Sequence, residues 1–376
     1  MDSQYQLKLK SQETDKIHKF HTADGLNSNN SFREEELLIA DEAEIKEDDR
    51  ILIIQSNYGL LSVLLGEKAA ETVIQDTSAR ACQYSKKNAE ENQLENHKIR
   101  NTRLEEIEAG PDKIIYAPAD YEPVDLVKHR LGTAVEKLNK SGQLIIAGRK
   151  KSGIKRYKNY LNDLPGNLEK VAKRKQNKVY EYTKTGEGKV EKPEIEKRFQ
   201  AKVDSIDADF KTAEGLFSNG KIDGGTRLLL KNLEISDDDK ICDLACGYGA
   251  ISIITGKKHD TNIYMTDDNS IATKYAETNM RENGLDQFNV ETGDCLDAYQ
   301  KEKFDKIVSN PPTHQGKGIT QKMFQQSYEA LKKDGELWLV YNQNMRFENQ
   351  LSKDFDKVER VEQQDNFVVT RALKQN

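Results

Sequence analysis

The sequence predicts an α/β chain made of two copies of one open, mostly parallel sheet with helices on both faces. Three observations predict it. Short apolar runs of strand length alternate with longer stretches of helical length and charged faces. In the second half, four such runs end in a polar group: Asp243, Asp267, Asp294 and Asn310. The chain also matches itself at an offset of 189–193 from about residue 20 to residue 182, a register too long to be chance.

Taken in order, Phe20-His21-Thr22-Ala23-Asp24-Gly25-Leu26 opens the first copy, and Phe210-Lys211-Thr212-Ala213-Glu214-Gly215-Leu216 opens the second. Arg50–Gln55, Thr72–Gln75, Lys113–Tyr116 and Gln143–Ala147 read as short strands, with helices over Ala79–Asn92 and Leu131–Lys140. In the second copy, strands are expected near 240–245, 262–267, 288–292, 304–309 and 335–341, with helices near 249–257, 270–283 and 319–333. Pro311 and Pro312 cannot donate to a ladder, so the fourth strand must stop at Asn310. Asp334-Gly335 is a turn signal. Phe367–Arg371 reads as a closing strand, with Val179–Tyr182 as its counterpart. Residues 1–184 are thus expected to form one domain, 185–200 a linker around Gly186–Pro193, and 201–376 a second domain.

Bulk properties bound the partners. Hydrophobic residues are 36% and charged residues 32%, with regular apolar runs, so a folded chain with a charged surface is expected. No apolar stretch approaches a membrane span, and Met1-Asp2-Ser3-Gln4 lacks the apolar core of a signal peptide, so a cytoplasmic protein is expected. Cys82, Cys242, Cys246 and Cys295 lack metal-ligand spacing and read as small buried thiols; no metal is expected. The net charge of −6 does not announce a nucleic-acid binder. Yet residues 149–198 hold sixteen Lys or Arg against seven Asp or Glu, which leaves the rest of the chain at about −15. Such a stretch is either a solvated surface or a stripe for phosphates, with Lys173, Arg174 and Lys175 expected to contact such phosphates.

The chemistry concentrates between Asp239 and Thr313. Lys240-Ile241-Cys242-Asp243-Leu244 leads into Ala245-Cys246-Gly247-Tyr248-Gly249, a strand and glycine turn ahead of a helix. Ser252 stands where a dinucleotide fingerprint would have its third glycine. Asp243 would repel a pyrophosphate, whereas a cationic sulfonium with an amino group would be favoured beside it. Asp267, one βα unit further on, suits a ribose diol.

Asp-Leu-Ala-Cys-Gly-Tyr-Gly with Asp267, Asp294 and Asn310-Pro311-Pro312 resembles the class I S-adenosylmethionine-dependent methyltransferases. Phe217-Ser218, Ile222-Asp223-Gly224-Gly225-Thr226 and Asn-Pro-Pro-x-His-x-Gly at 310–316 look like the guanine-N2 methyltransferases of small-subunit ribosomal RNA. The resemblance implies two tandem Rossmann-like domains with mostly parallel seven-stranded sheets. It implies S-adenosyl-L-methionine as cofactor, held by Asp243, Gly247, Gly249, Asp267, Asp294 and Asn310, with Asp294 on the adenine amine. It implies catalysis at Asn310, Pro311 and Pro312, on ribosomal RNA or the small ribosomal subunit. The family usually has an aromatic residue after Asn-Pro-Pro; here it is Thr313, so a stacking platform falls to His314, Phe217 or Tyr341.

The first copy differs where the chemistry would be. Ile53 replaces Asp243, Asn57 replaces Gly247, Arg103 replaces Asp294, Ala117-Pro118-Ala119 replaces Asn-Pro-Pro, and Glu34-Glu35 replaces Gly224-Gly225; Asp76 and Gly59 persist. This copy is expected to fold without catalysing and to dock RNA or act as a scaffold; the alternative is that it binds a different ligand. For the whole chain, adenine-N6 or protein-glutamine methylation, or a non-catalytic assembly role, are the competing readings.

Overall fold

The computed structural model describes residues 4–11, 16–186, 188–301, 303–312 and 316–375. They form two compact units, one from Gln4 to Ile195 and one from Glu196 onward. In the first, a hairpin of β1 (Gln4–Lys10) and β2 (Ile17–Ala23) precedes α1 (Glu34–Glu42). Then come β3 (Arg50–Ile54), α2 (Leu60–Gly66), β4 (Glu71–Asp76), α3 (Ala79–Glu91), β5 (His97–Asn101), β6 (Lys113–Tyr116), α4 (Val124–Lys137), β7 (Gln143–Gly148), α5 (Ile154–Asn162), β8 (Gly166–Arg174) and β9 (Asn177–Lys184).

The second unit repeats the plan. Its elements are β10 (Glu196–Val203), β11 (Ile206–Ala213), α6 (Gly224–Asn232), β12 (Lys240–Leu244), α7 (Ala250–Lys258), β13 (Asn262–Asp267), α8 (Ser270–Glu282), β14 (Phe288–Thr292), β15 (Phe304–Ser309), α9 (Lys317–Ala330), β16 (Leu331–Asn342), α10 (Glu348–Leu351), β17 (Lys357–Gln364) and β18 (Phe367–Leu373). β10 takes in residues 196–200, which composition alone assigns to a linker.

Each unit has a seven-stranded sheet, in the orders β5-β4-β3-β6-β7-β9-β8 and β14-β13-β12-β15-β16-β18-β17. Five strands of each pair in parallel, and β9 and β18 run antiparallel to their neighbours on both sides. The central strands β3 and β12 are covered on both faces, which is why they read as continuous apolar runs rather than alternating ones. The chain walks outward from β12 to β13 and β14, then returns to β15 on the other side of β12. The connections leaving β12 and β15 therefore part in opposite directions. They open a crevice at the carboxyl ends of these two strands, the switch point of the sheet.

Two expected helices shift. α4 begins at Val124 rather than Leu131, because Leu126 and Val127 already face the core while Asp125, Lys128 and His129 mask the pattern. α9 ends at Ala330, and Leu331 pairs with Phe304 to start β16. The helical pattern cannot be told there from the strand that follows it directly. The four cysteines are buried and unbridged. Among the described residues, no helix is long and apolar enough to cross a membrane.

The repeat extends to single hydrogen bonds. Asn88 in α3 donates to the His21 and Tyr58 carbonyls and accepts from the His21 N–H. Asn279 in α8 donates to the Lys211 and Tyr248 carbonyls and accepts from the Lys211 N–H. In both units a buried amide thus ties the hairpin to the glycine turn, satisfying backbone groups that sheet and helix leave open.

Candidate active site

Ala245 to Gly249 connect β12 to α7 at the crevice, with φ of 63° at Ala245, 56° at Gly247 and 89° at Gly249. The N–H groups of Ala245 and Cys246 donate to the Thr266 carbonyl, and the Gly247 N–H to Asp267 Oδ2 at 2.9 Å. The two glycines serve different ends. A Cβ at Gly249 would lie 3.3 Å from the Ala276 Cα, so this glycine lets α8 approach the turn. A Cβ at Gly247 would meet nothing within 4 Å, so Gly247 leaves the crevice side of the turn open.

Of the acids around this turn, Asp243 and Asp294 are buried and Asp267 is half-buried. Asp243 Oδ2 accepts from the Ser252 hydroxyl at 2.7 Å and the Ser252 N–H at 3.2 Å, while Oδ1 is buried with no partner. Burial, with a smaller push from the Asp267 charge, raises the Asp243 carboxyl to about 7. Asp267 Oδ2 takes the Gly247 N–H and Oδ1 the Asn269 N–H at 2.9 Å; burial raises this carboxyl too, against those two bonds. A buried acid oxygen without a partner, beside an open glycine turn, fits a ligand that brings cationic N–H donors. Asp294 ion-pairs with Lys322 at 2.9 Å, and Lys322 also reaches Asp297 at 3.0 Å. Lys322 lies on α9, and no spacing in the sequence points to it.

Asn310 leaves the end of β15. Its Nδ2 donates to Thr226 Oγ1 at 3.0 Å and to Asp223 Oδ2 at 3.3 Å. Asp223 also caps α6, accepting the Gly225 and Thr226 N–H groups. The amide is thereby held by its nitrogen, and its Oδ1 is the end that can only accept. Asp223 and Thr226 belong to the motif of the sequence analysis, but their hold on Asn310 does not follow from it. The ring of Phe367 lies over Gly225, where a Cβ would meet it at 2.9 Å, so the glycine pair admits an aromatic ring over the start of α6. Phe217 is 62% exposed. Tyr341 is excluded as a platform: it is buried, packs on Phe347 and bonds Thr370 through its hydroxyl. Thr313 and His314 lie outside the described residues. In the first unit, Arg174 pairs with Asp41 at 2.8 Å and Lys175 with Glu34 at 3.9 Å, both on α1, while Lys173 is exposed on β8.

The corresponding crevice of the first unit is filled from within. Asn57, in the place of Gly247, donates through Nδ2 to the Asn27 carbonyl and accepts the Asn27 N–H at Oδ1. Arg33, in the place of Asp223, is buried and donates to the Ala117 carbonyl at 2.9 Å and the Pro118 carbonyl at 2.7 Å. These carbonyls are the counterparts of those of Asn310 and Pro311. Ser62, in the place of Ser252, keeps a buried hydroxyl that has no partner, because Ile53 stands where Asp243 would accept it.

The family model described as the methyltransferase small domain matches this chain twice, at residues 18–181 and 207–371. The chain belongs to that family. Both units of this methyltransferase small domain protein are therefore members, the first included despite its changed crevice. A protein named ribosomal RNA large subunit methyltransferase G from Aeromonas hydrophila is 25% identical over 348 residues, 89% of each chain. The uncharacterized YbxB of Bacillus subtilis is 29% identical over 193 residues, 49% of this chain and 96% of its own. Among solved structures, the T. thermophilus 16S rRNA guanine-N2 methyltransferase RsmC, in complex with AdoMet and guanosine, superposes with a TM-score of 0.84. It covers 99% of this chain and 98% of its own at 22% identity, so the tandem fold is shared over the full length.

Proposed function

We propose that the second unit transfers a methyl group from S-adenosylmethionine to the exocyclic N2 amine of a guanine in ribosomal RNA. One observation carries the reading: Asn310, at the end of the strand beside β12 and its open glycine turn, is held by its amide nitrogen on Asp223 and Thr226, which fixes the side chain that would accept a substrate N–H. The cofactor supplies an electrophilic methyl group when bound. Asp267 would receive the ribose hydroxyls on its remaining lone pairs, Asp243 Oδ1 the amino end, and Asp294, alongside Lys322, the adenine amine. Gly247 and Gly249 shape the turn these groups pass.

An exocyclic purine amine has two N–H donors and a lone pair delocalised into the ring. Asn310 Oδ1 would accept one N–H and the Pro311 carbonyl the other, which favours a pyramidal nitrogen with its lone pair aimed out of the ring plane. Pro312 stiffens the corner. The nitrogen proton becomes acidic only once the methyl group is in place, so no strong base is needed, and catalysis rests on alignment and fixed dipoles. Phe217, largely exposed, and Phe367, over the glycine pair, offer ring faces to an extruded base; extrusion costs a few kcal/mol. Arg174 and Lys175 would exchange their surface acids for RNA phosphates, since such pairs hold only about 0–1 kcal/mol, and the exposed Lys173 would meet a phosphate beside them.

The test is methyl transfer from labelled cofactor to undermodified small- and large-subunit rRNA, followed by nucleoside mass spectrometry. N2-methylguanosine in the small-subunit RNA is the expected product. The same nucleoside in large-subunit RNA is the second reading, favoured by the name of the Aeromonas hydrophila relative. N6-methyladenosine, or cofactor binding without any transfer, would sink the guanine assignment.

A further inference from the structure

Lys322 and Gln326, one turn apart on α9, both reach the loop that follows β14. Gln326 accepts the Leu296 N–H at 2.9 Å and donates to Asp297 Oδ1 at 2.7 Å, so this amide already fastens the loop to the helix. Lys322 adds something else, an ammonium shared by two carboxylates, 2.9 Å from Asp294 Oδ2 and 3.0 Å from Asp297 Oδ2. The other oxygen of the buried Asp294 accepts the Cys295 thiol at 3.4 Å. Burial works against the ammonium, yet the Asp294 charge and the bonds to both acids more than offset it and hold its pKa above the ordinary lysine value.

The first unit shows what this lysine goes with. α4 and α9 are both 14 residues long and begin at Val124 and Lys317, so His129 stands in the place of Lys322. Arg103 stands in the place of Asp294. His129 turns instead to Glu105 at 2.9 Å and to the Pro193 carbonyl at 2.8 Å. Bonds that only brace the fold, such as those of Asn88 and Asn279, are kept in both units. The lysine and the acid are replaced together, in the unit whose crevice is filled.

We propose that Lys322 is a specificity-determining positioning residue: it holds Asp294 as a pure hydrogen-bond acceptor, so that the cofactor pocket takes adenine and refuses a purine with a carbonyl in place of the amine. The proposal rests on the reading that Asp294 receives the adenine amine. An ionised carboxylate offers only lone pairs, whereas a protonated one donates an O–H. The adenine amine donates and matches the first form; the oxygen of hypoxanthine, the deaminated base, matches the second. The titratable groups that face Asp294 are Asp297 and Cys295 on its own loop and Lys322 on α9. Two carboxylates deprived of their shared ammonium repel each other, and one takes up a proton. Asp294 is that one, because its side chain is 4% exposed against 26% for Asp297.

The experiment titrates the full chain with S-adenosylhomocysteine and with S-inosylhomocysteine, its deaminated analogue, by calorimetry at pH 6, 7 and 8. The readout is the ratio of the two affinities. Asp243 would meet the amino end that both ligands share, so its own pH dependence drops out of that ratio. The native chain is expected to prefer the adenine compound by about tenfold or more at each pH. In Lys322→Met the preference should fall to within about threefold at pH 6, where Asp294 is protonated, and rise again toward pH 8 as it ionises. Lys322→Arg, which returns the charge, should restore the native ratio. Lys322→Gln keeps a donor toward the acids without the charge; it should behave as Lys322→Met does, and it replaces that variant if the methionine chain does not fold. A native ratio at every pH in the uncharged variants would reduce Lys322 to a tie between helix and loop and overturn the inference, with the reading of Asp294 intact. A native chain that binds both compounds equally would instead remove Asp294 from the adenine amine, and the reading beneath the inference would fail first.

Discussion

Asp76 and Asp267 occupy the same place in the two units and make the same bonds. Asp76 accepts the Asn57 and Ser78 N–H groups at 2.8 and 2.9 Å; Asp267 accepts those of Gly247 and Asn269, each at 2.9 Å. In one unit the turn it braces is open at Gly247, and in the other it is closed by the Asn57 side chain. Bracing the turn needs the acid in either case, whether the turn is open or closed. A residue that persists between copies is thus no sign of shared binding. The diagnostic positions are those whose loss leaves the fold intact: Asp243 against Ile53, Gly247 against Asn57, and Asp223 with Asn310 against Arg33 with Ala117.

The comparison can be broken most sharply at Asn310. Asn310→Ala should lower turnover on rRNA by roughly 10²-fold or more, the loss of one preorganised polar group, with cofactor affinity nearly unchanged. Single-turnover methyl transfer beside a cofactor titration reads both; near-normal turnover would remove Asn310 from the reaction.

The paired aspartates come next. Asp267→Ala should weaken the cofactor by roughly ten- to a hundredfold, from a lost charged acceptor worth about 1.5–3 kcal/mol. Part of that loss is the loosened turn. Asp76→Ala should leave cofactor affinity alone yet destabilise the first unit by about 1–3 kcal/mol, since two part-buried N–H groups lose their acceptor. Calorimetry with a thermal melt separates the two, and a stoichiometry of two cofactors per chain would contradict the division of roles.

A third test transplants the filling. Gly247→Asn places in the second unit the side chain that closes the first, and asparagine tolerates the left-handed φ of 56° there. Cofactor affinity should fall about tenfold, while Asn57→Gly should not create binding, because Ile53 still lacks the acid. Unaltered affinity in Gly247→Asn would show that the open side of the turn is not where the ligand lies.

The smallest effect is on pH. Asp243 sits at about 7 in the fold against an ordinary carboxyl near 4, so the folded state holds this proton more tightly than the unfolded chain. Its ionisation therefore costs stability progressively as pH rises from about 4 to 7, and a cationic ligand that stabilises the ionised form binds better as pH rises through 7. Cofactor affinity should increase several-fold between pH 6 and 8, and Asp243→Asn should flatten that profile. A flat profile in the native chain would mean that no cationic group meets Asp243.

The tandem repeat, the strand ends, Asp267 and the Asn-Pro-Pro corner were legible in the residues because strand patterning, glycine turns and prolines are local signals, and the second copy served as an alignment for the first. The outer hairpins, α5 and the edge strand β8 were not, since half-exposed charged strands carry no apolar pattern. What only the tertiary structure decided is which distant side chain meets which. Arg33 reaches carbonyls 84 and 85 positions away, Asn310 is oriented from 87 positions upstream, and Lys322 balances Asp294 from a helix after the next strand. Whether a polar group is available to a ligand depends on such partners, and burial makes each of them decisive because an unpaired group in the interior is costly. The sequence alone therefore marked the places of Asp243, Gly247 and Asn310, and folding decided that the turn at Gly247 stays open while Asn57 closes its counterpart and Arg33 takes the carbonyls that correspond to those of Asn310 and Pro311.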